Sequence, residues 1–349
     1  MTSTSAVPAK AAPTASVIMA NHNGAAYLAD AVASVREQSL SDLELIICDD
    51  ASTDESVSVI SAARAADPRI HLVRGEQKSG PAAARNKALS LAKGDWIAVM
   101  DSDDLMHRDR LETLVAQAER DVADIAADGL VEFDGHAHCA RLLNGNWGRE
   151  PFWVNIRDYL RLNMFYGMGP ALGYLKPLFR RSCFEPSIRY DESLRIGEDF
   201  DLALRLLHMG KKYRVYPRPL YYYRKHATST SHRLNEDALI ALKAANLQFL
   251  ERIRDEHPAL IQLLQERDRS IETALSYEKL LFALKNREWR TVLDIAIRNP
   301  AAAALLRLPI GVRIRRLLDI GQTRATATRE RGSHQVFDTD LRKFDREAR

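Results

Sequence analysis

Three of the first four apolar runs in this chain end in carboxylates or amides, and helical spacing separates one run from the next. Residues 16–20 lead into Asn21-His22-Asn23-Gly24, residues 43–48 into Asp49-Asp50, and residues 96–100 into Asp101-Ser102-Asp103-Asp104. A further run, residues 70–73, lies between the last two. Residues 27–38 place Leu28, Ala31, Val32 and Val35 on one helical face. Ser52-Thr53-Asp54-Glu55 opens a second helix with capping chemistry, and Gly80-Pro81 opens a third over residues 82–91. Strands alternating with helices at short intervals predict a parallel sheet covered on both faces. Ligands of such sheets bind beyond the carboxyl ends of the strands. All three polar clusters fall there, so the pattern predicts an α/β fold with its site at that edge.

The cluster at 101–104 carries the most charge. Carboxylates this close repel one another, and each loses hydration on burial. A cation between them relieves both costs. Hard oxygen ligands at this spacing suit Mg²⁺ or Mn²⁺, which in turn hold phosphates. The alternative is a solvated turn in which Asp104 caps a helix starting near Leu105. No Gly-x-Gly-x-x-Gly follows the first run and no P-loop lysine is present, so phosphates here would need a metal instead of a glycine-rich cradle.

The chain has 349 residues and a net charge of +3, which suits one large domain with an appendage, or two domains, and implies no nucleic-acid partner. Cys48, Cys139 and Cys183 fit neither a disulfide framework nor a zinc pattern and suggest a reducing compartment. Residues 1–14 are rich in Ala, Ser, Thr and Pro, and are expected to be a disordered leader and not a signal peptide. No apolar run reaches the roughly 18–20 residues of a membrane-spanning helix.

Further along, residues 109–120 read as a helix and 123–150 as irregular. Residues 151–185 mix aromatics, glycines and bases, including Trp153, Tyr159, Phe165, Tyr166, Tyr174, Lys176, Arg180 and Arg181. Gly197-Glu198-Asp199-Phe200-Asp201 precedes a helix over 202–209, and 215–223 is extended and punctuated by proline. The expected divisions are an α/β domain at 15–234 with halves 15–108 and 109–234, a helical extension at 235–320 and a polar tail at 321–349.

Five pieces in order carry a resemblance. They are residues 16–23, the stretch Asp49 to Asp54, Gly80 through Arg85-Asn86, Asp101-Ser102-Asp103-Asp104, and Gly197-Glu198-Asp199. Together they resemble glycosyltransferase family 2, the large inverting family with a GT-A, Rossmann-like nucleotide-sugar fold. The stretch from Gly173 through Lys225-His226 is similar to bacterial exopolysaccharide glucosyltransferases of the succinoglycan type. His22 departs from the family pattern, which more often has tyrosine there.

The resemblance implies an inverting hexosyltransferase that uses a UDP-sugar, UDP-glucose in the first place, and a lipid-linked sugar acceptor. It implies Asp50 as acceptor of the uracil N3–H with Asp49 supporting its loop, and Ala20, Asn21, His22 and Asn23 lining base and ribose. Arg85 would meet the nucleotide or its phosphates, beside Asp101 and Ser102. Asp103 leads as the residue of ribose and metal, with Asp104 and Asp101 as alternative ligands of Mg²⁺ or Mn²⁺. Asp199 would be the general base, with Glu198 orienting the site. His226, Arg224 and Ser229 belong to a segment expected to fold over metal and diphosphate. Against these stand ordinary readings: helix caps for Asp50 and Asp199, and a surface ion pair for Arg85. Trp153, Tyr166 and Tyr174 are candidate platforms for the acceptor sugar or plain core residues. A non-catalytic nucleotide-sugar binder or scaffold on the same fold is the alternative function.

Arg307 to Leu318 mixes apolar residues with four arginines and is expected either to lie at a membrane surface or to pack as an ordinary helix. The expected location is the cytoplasm, with peripheral contact at the inner face of the cytoplasmic membrane.

Overall fold

A computed structural model describes residues 12–133, 140–167, 169–185, 187–226, 236–253 and 258–307. They fall in two compact units, divided after His232, with residues 164–166 belonging to the second. In the first unit β1 (Ala15–Asn21), α1 (Ala25–Arg36), β2 (Leu43–Asp49), α2 (Ser56–Ala66), β3 (Ile70–Arg74), α3 (Pro81–Leu91) and β4 (Trp96–Asp101) follow the predicted alternation. β2 is buried along its whole length, as a strand covered by helices on both faces must be. α1 buries Leu28, Ala31, Val32 and Val35, the stripe read from its spacing. α3 starts at Pro81, whose missing N–H costs nothing at that position, after Gly80 at φ 97°. Ala82, Ala83 and Ala84 are buried in its first turns, and such small side chains let the helix lie close to the sheet.

The chain continues through β5 (Leu105–Met106), α4 (Arg110–Asp121), β6 (Ile125–Phe133), β7 (Ala140–Arg141), β8 (Phe152–Val154), α5 (Ile156–Leu162), β9 (Leu178–Arg180), α6 (Glu198–His208) and β10 (Tyr213–Arg224). The sheet order is β3-β2-β1-β4-β9-β6-β10-β5, with β7 on β6 and β8 on β10. β3, β2, β1 and β4 are parallel, β9 is antiparallel to both β4 and β6, and β6 and β10 are parallel. Two reversals restore direction, so β1, β2, β4, β6 and β10 all end at one edge. This is the mixed, mostly parallel α/β sheet the sequence predicts.

Three local expectations change. Residues 123–150 are not irregular throughout, because β6 lies within them. Its period is hidden by Asp128, which is buried and paired with Arg110, and by Gly129, where a Cβ would lie 2.4 Å from the Pro217 carbonyl. Residues 105–106 are strand, not helix start, so Asp104 caps nothing. α6 begins at Glu198, which puts Glu198, Asp199 and Asp201 inside its first turn.

The second unit contains α7 (Glu236–Arg252), α8 (Pro258–Lys285), α9 (Trp289–Arg298) and α10 (Pro300–Ala304). Leu239, Ile271, Ala274 and Leu275 form its core, with Phe165 against them. Asn246 is buried there and donates to the Leu264 carbonyl at 3.0 Å. Cys48 and Cys183 are free and buried, while Cys139 lies outside the described residues. No helix of the described residues is long and apolar enough to cross a membrane.

Candidate active site

The ends of β1 and β2 and the start of α3 build the first part of the site. Asn21 donates to Asp49 Oδ1 at 2.9 Å, and Asp49 also accepts from the Ser52 hydroxyl at 2.6 Å and the Ser52 amide at 3.1 Å. That ties the two strand ends and leaves Ala51 at φ 57°, a strained conformation for a residue with a Cβ. Asp50 is buried at the head of α3. It accepts from the Ser79 amide and hydroxyl at 2.8 Å each and from the Gly80 amide at 2.7 Å. Burial alone would raise its carboxyl, but these donors outweigh it and hold the group below its ordinary range. His22 Nδ1 meets the Asp50 carbonyl at 2.8 Å, and Asn23 accepts from the Thr53 amide at 2.8 Å. Gly24 has no room for a side chain, since a Cβ would lie 2.3 Å from Asn21 Oδ1 and 3.1 Å from Ser102 Oγ.

Ligand atoms of Asp101, Asp103 and Asp104 lie within 4.8 Å of one another. Asp104 is fully buried, and accepts from the Tyr221 hydroxyl at 2.7 Å and the Arg224 amide at 2.8 Å. Asp101 is held by Arg85 at 2.6 Å and Lys176 at 2.8 Å. Asp103 is partly exposed, and His226 Nε2 meets its Oδ2 at 2.8 Å. Burial and the charge of Asp101 push the Asp103 carboxyl up, against the pull of His226. Burial and both neighbouring aspartates push Asp104 well above the carboxylate range. Asp101 goes the other way: burial is outweighed by Lys176 and Arg85, which hold it well below that range. A cation here would reverse the repulsion on Asp103 and Asp104. Three carboxylates with ligand atoms within 4.8 Å of one another fit a divalent metal, Asp101 and Asp103 being less buried than Asp104 and the His226 imidazole standing beside Asp103.

The third part joins α3 to α6. Arg85 is only 4% exposed, so it is no surface ion pair. Its guanidinium bonds Glu198 and Asp101 and approaches Asp199 Oδ1 at 3.7 Å. Lys176 donates to Asp199 Oδ2 at 2.9 Å. Asp199 Oδ1 is buried without a hydrogen-bond partner. Neither acidic residue caps α6, whose N-cap is Gly197. Asp201 pairs with Arg205 at 2.7 Å on the helix itself. Burial pushes the Glu198 carboxyl up; Arg85 opposes this and Asp199 adds to it.

The Glycosyl transferase family 2 description matches residues 16–182, the part that carries this geometry up to β9. The succinoglycan biosynthesis protein ExoO of Rhizobium meliloti is 33% identical over 309 residues, 87% of either chain. The chain belongs to glycosyltransferase family 2. ExoU of the same organism is 36% identical over 210 residues, 59% of this chain and 60% of that one. Among solved structures, Staphylococcus aureus TarS 1–349 in complex with UDP-GlcNAc superposes with a TM-score of 0.57, covering 82% of this chain and 91% of that one at 16% identity. At that identity the likeness is one of fold, and it extends past the family match into the rest of the chain.

The remaining candidates of this glycosyltransferase separate clearly. Arg224 ends β10 at the cluster, where its Nε donates to the Asp103 carbonyl at 2.8 Å and its guanidinium lies over Tyr27 at 4.9 Å. Ser229 lies outside the described residues. Tyr174 is half exposed two residues before Lys176, beside α6. Tyr166 belongs to the second unit, edge-on to Tyr277. Trp153 lies on β8. It pairs with Arg214 at the start of β10, whereas the carboxylate cluster meets the end of β10, seven residues on along the partner strand β6, or about 23 Å at a rise of about 3.3 Å per residue. Its exposed ring stacks under Arg214 at 4.7 Å. Lys176 and Tyr221 were missed as site residues. Lys176-Pro177 before a strand carried no charge pattern of its own, and Tyr221 read as one aromatic among three.

Proposed function

We propose that this family 2 glycosyltransferase moves a hexose, glucose first, from a UDP-sugar to a lipid-linked sugar acceptor in exopolysaccharide synthesis, with inversion. The observation that carries the reading is the state of Asp199. One carboxylate oxygen is fixed by Lys176 and the other is a buried acceptor with nothing to accept. That is the arrangement a general base needs. The names of the Rhizobium relatives support the polymer, and the UDP-GlcNAc complex of TarS supports a UDP-sugar.

In this mechanism Asp50 and the loop Asn21 to Asn23 hold the base and ribose, and Asp103 with His226 would hold Mg²⁺ or Mn²⁺. When bound, the cation supplies charge neutralisation for the departing diphosphate. Asp199 Oδ1 takes the proton of the acceptor hydroxyl. The freed oxygen bonds to the anomeric carbon as the bond from that carbon to UDP breaks on the opposite face. An α-linked donor gives a β-linked product.

The test measures UDP release from UDP-glucose, UDP-galactose, UDP-N-acetylglucosamine and UDP-glucuronate with Mg²⁺ or Mn²⁺. UDP-glucose is expected to be turned over fastest, and no release from any of the four would sink the reading. Asp103→Ala is expected to weaken UDP binding in Mn²⁺ at least tenfold, with metal-free binding unchanged by calorimetry. Equal affinity in both proteins would remove Asp103 from the metal.

Peripheral membrane contact is also proposed. The segment first considered for it lies, apart from Arg307, outside the described residues. α9 offers another face: Trp289, Leu293 and Ile297, four residues apart, are 61%, 63% and 76% exposed. Arg290 and Arg298 flank them on the same helix, with Lys285, Arg287 and Arg307 near by in sequence, which suits an anionic lipid surface. Leu293→Glu is expected to lower cosedimentation with phosphatidylglycerol vesicles several-fold, with neutral phosphatidylcholine vesicles binding neither protein. Undiminished sedimentation of the variant would end this proposal.

A further inference from the structure

Lys176 is fixed at both ends. Its ammonium stands 2.8 Å from Asp101 Oδ2 and 2.9 Å from Asp199 Oδ2. Its carbonyl accepts from Arg110 Nη2. Arg110 is itself fully buried and locked by Asp128, with Nε 3.0 Å from both carboxylate oxygens and Nη2 2.8 Å from Oδ1. The guanidinium lies over the Tyr221 ring at 4.8 Å. Tyr221 in turn donates to Asp104 and accepts from the Asp101 amide at 3.2 Å. A lysine side chain normally loses considerable rotamer freedom to hold one partner. Here the backbone is pinned by a rigid buried pair, and the ammonium reaches two carboxylates from different elements.

Arg85 does not replace this. It bonds Glu198 and Asp101, but at 3.7 Å from Asp199 Oδ1 it is outside hydrogen-bond range. Among the described residues, the hydrogen bond that fixes the rotation of the Asp199 carboxylate comes from Lys176.

We propose that Lys176 is a positioning residue for the base. Its ammonium takes Asp199 Oδ2, so that the carboxylate presents Oδ1 to the incoming hydroxyl. The same ammonium grips Asp101 at the donor side, which sets the span between base and donor. The Arg110–Asp128 pair holds the lysine in place. This rests on the reading of Asp199 as the base. Loss of the ammonium frees the carboxylate to turn, and a misplacement of about 1 Å in such a group costs on the order of a hundredfold in rate.

The experiment is a double-mutant cycle in the full chain. The four proteins are wild type, Lys176→Met, Asp199→Asn and the double variant. The readouts are UDP release from the fastest UDP-sugar with water as acceptor, and UDP affinity by calorimetry. Lys176→Met is expected to lower kcat about a hundredfold with Asp199 intact, and less than threefold in the D199N background, with UDP affinity within threefold throughout. Lys176→Arg is expected to recover at least tenfold of the loss, since it restores the cation. Equal losses in both backgrounds, or an arginine variant as slow as the methionine one, would overturn the proposal. A D199N protein with wild-type kcat would instead sink the parent reading of the base. If the methionine variant does not bind UDP, Lys176→Gln runs the same cycle under the same criteria.

Discussion

Asp199→Asn is expected to lower kcat for sugar transfer by roughly 10²–10⁴-fold, the range general-base catalysis supplies, while UDP affinity stays within a few-fold. The amide keeps the shape of the carboxylate and can still accept from Lys176. What it loses is the ability to take a proton at Oδ1. The expected signature is therefore a fall in kcat with the donor KM nearly unchanged, since the interaction lost is one made only in the transition state. Steady-state kinetics on the best donor, with calorimetry of UDP, reads both numbers. Transfer at the wild-type rate would show that another group takes the proton.

Arg85→Met should cost the first unit about 3–5 kcal/mol, the usual consequence of removing one partner from a buried ionic cluster. Three carboxylates, those of Asp101, Glu198 and Asp199, would then face one remaining cation, Lys176. Urea unfolding followed by tryptophan fluorescence measures this, since Trp96, Trp147 and Trp153 lie in that unit. Arg85→Lys should recover little, because a single ammonium cannot fork between Glu198 and Asp101. The pH dependence has a definite sign. In the wild type Asp101 is held well below its ordinary range, burial being outweighed by Lys176 and Arg85. Its contribution is present above the unfolded carboxylate pKa of about 3.9 and fades as pH falls below it. The gap between wild type and variant should therefore narrow on acidification. An unchanged urea midpoint at neutral pH would show that the cluster relaxes without its arginine.

The sequence exposed the half of the fold whose elements obey simple periods. β1 to β4 are apolar runs with polar ends, and α1 shows its buried stripe directly. β6 was illegible because its interior holds an aspartate whose partner, Arg110, is eighteen residues away and looks like a surface charge in sequence. The site shows the same division. Asp50, Asp103 and Asp199 announce themselves by clustering. Arg85 could be named, but its burial between three carboxylates could not, since two of those partners lie more than a hundred residues further on. Lys176 needed the structure altogether, because its meaning comes from what stands at its two ends. The placement of Trp153 was hidden for a related reason: ring type is visible in sequence, but the end of a strand on which a ring sits is not.

The cluster after β4 also bears on how the chain reaches its native state. Asp104 has its partners on β10, with Tyr221 117 residues and Arg224 120 residues later, and Asp103 finds His226 after 123. Until β10 docks, the end of β4 holds three close carboxylates with few of their final neighbours. Contacts of such long sequence separation form late and slowly. A nascent chain that has emerged only through α6 would therefore hold Asp199 in place while the cluster after β4 still lacks its partners on β10. Docking of β10 is therefore the step that gives Asp103 and Asp104 their partners, and a truncation before β10 should leave the carboxylate cluster unbalanced.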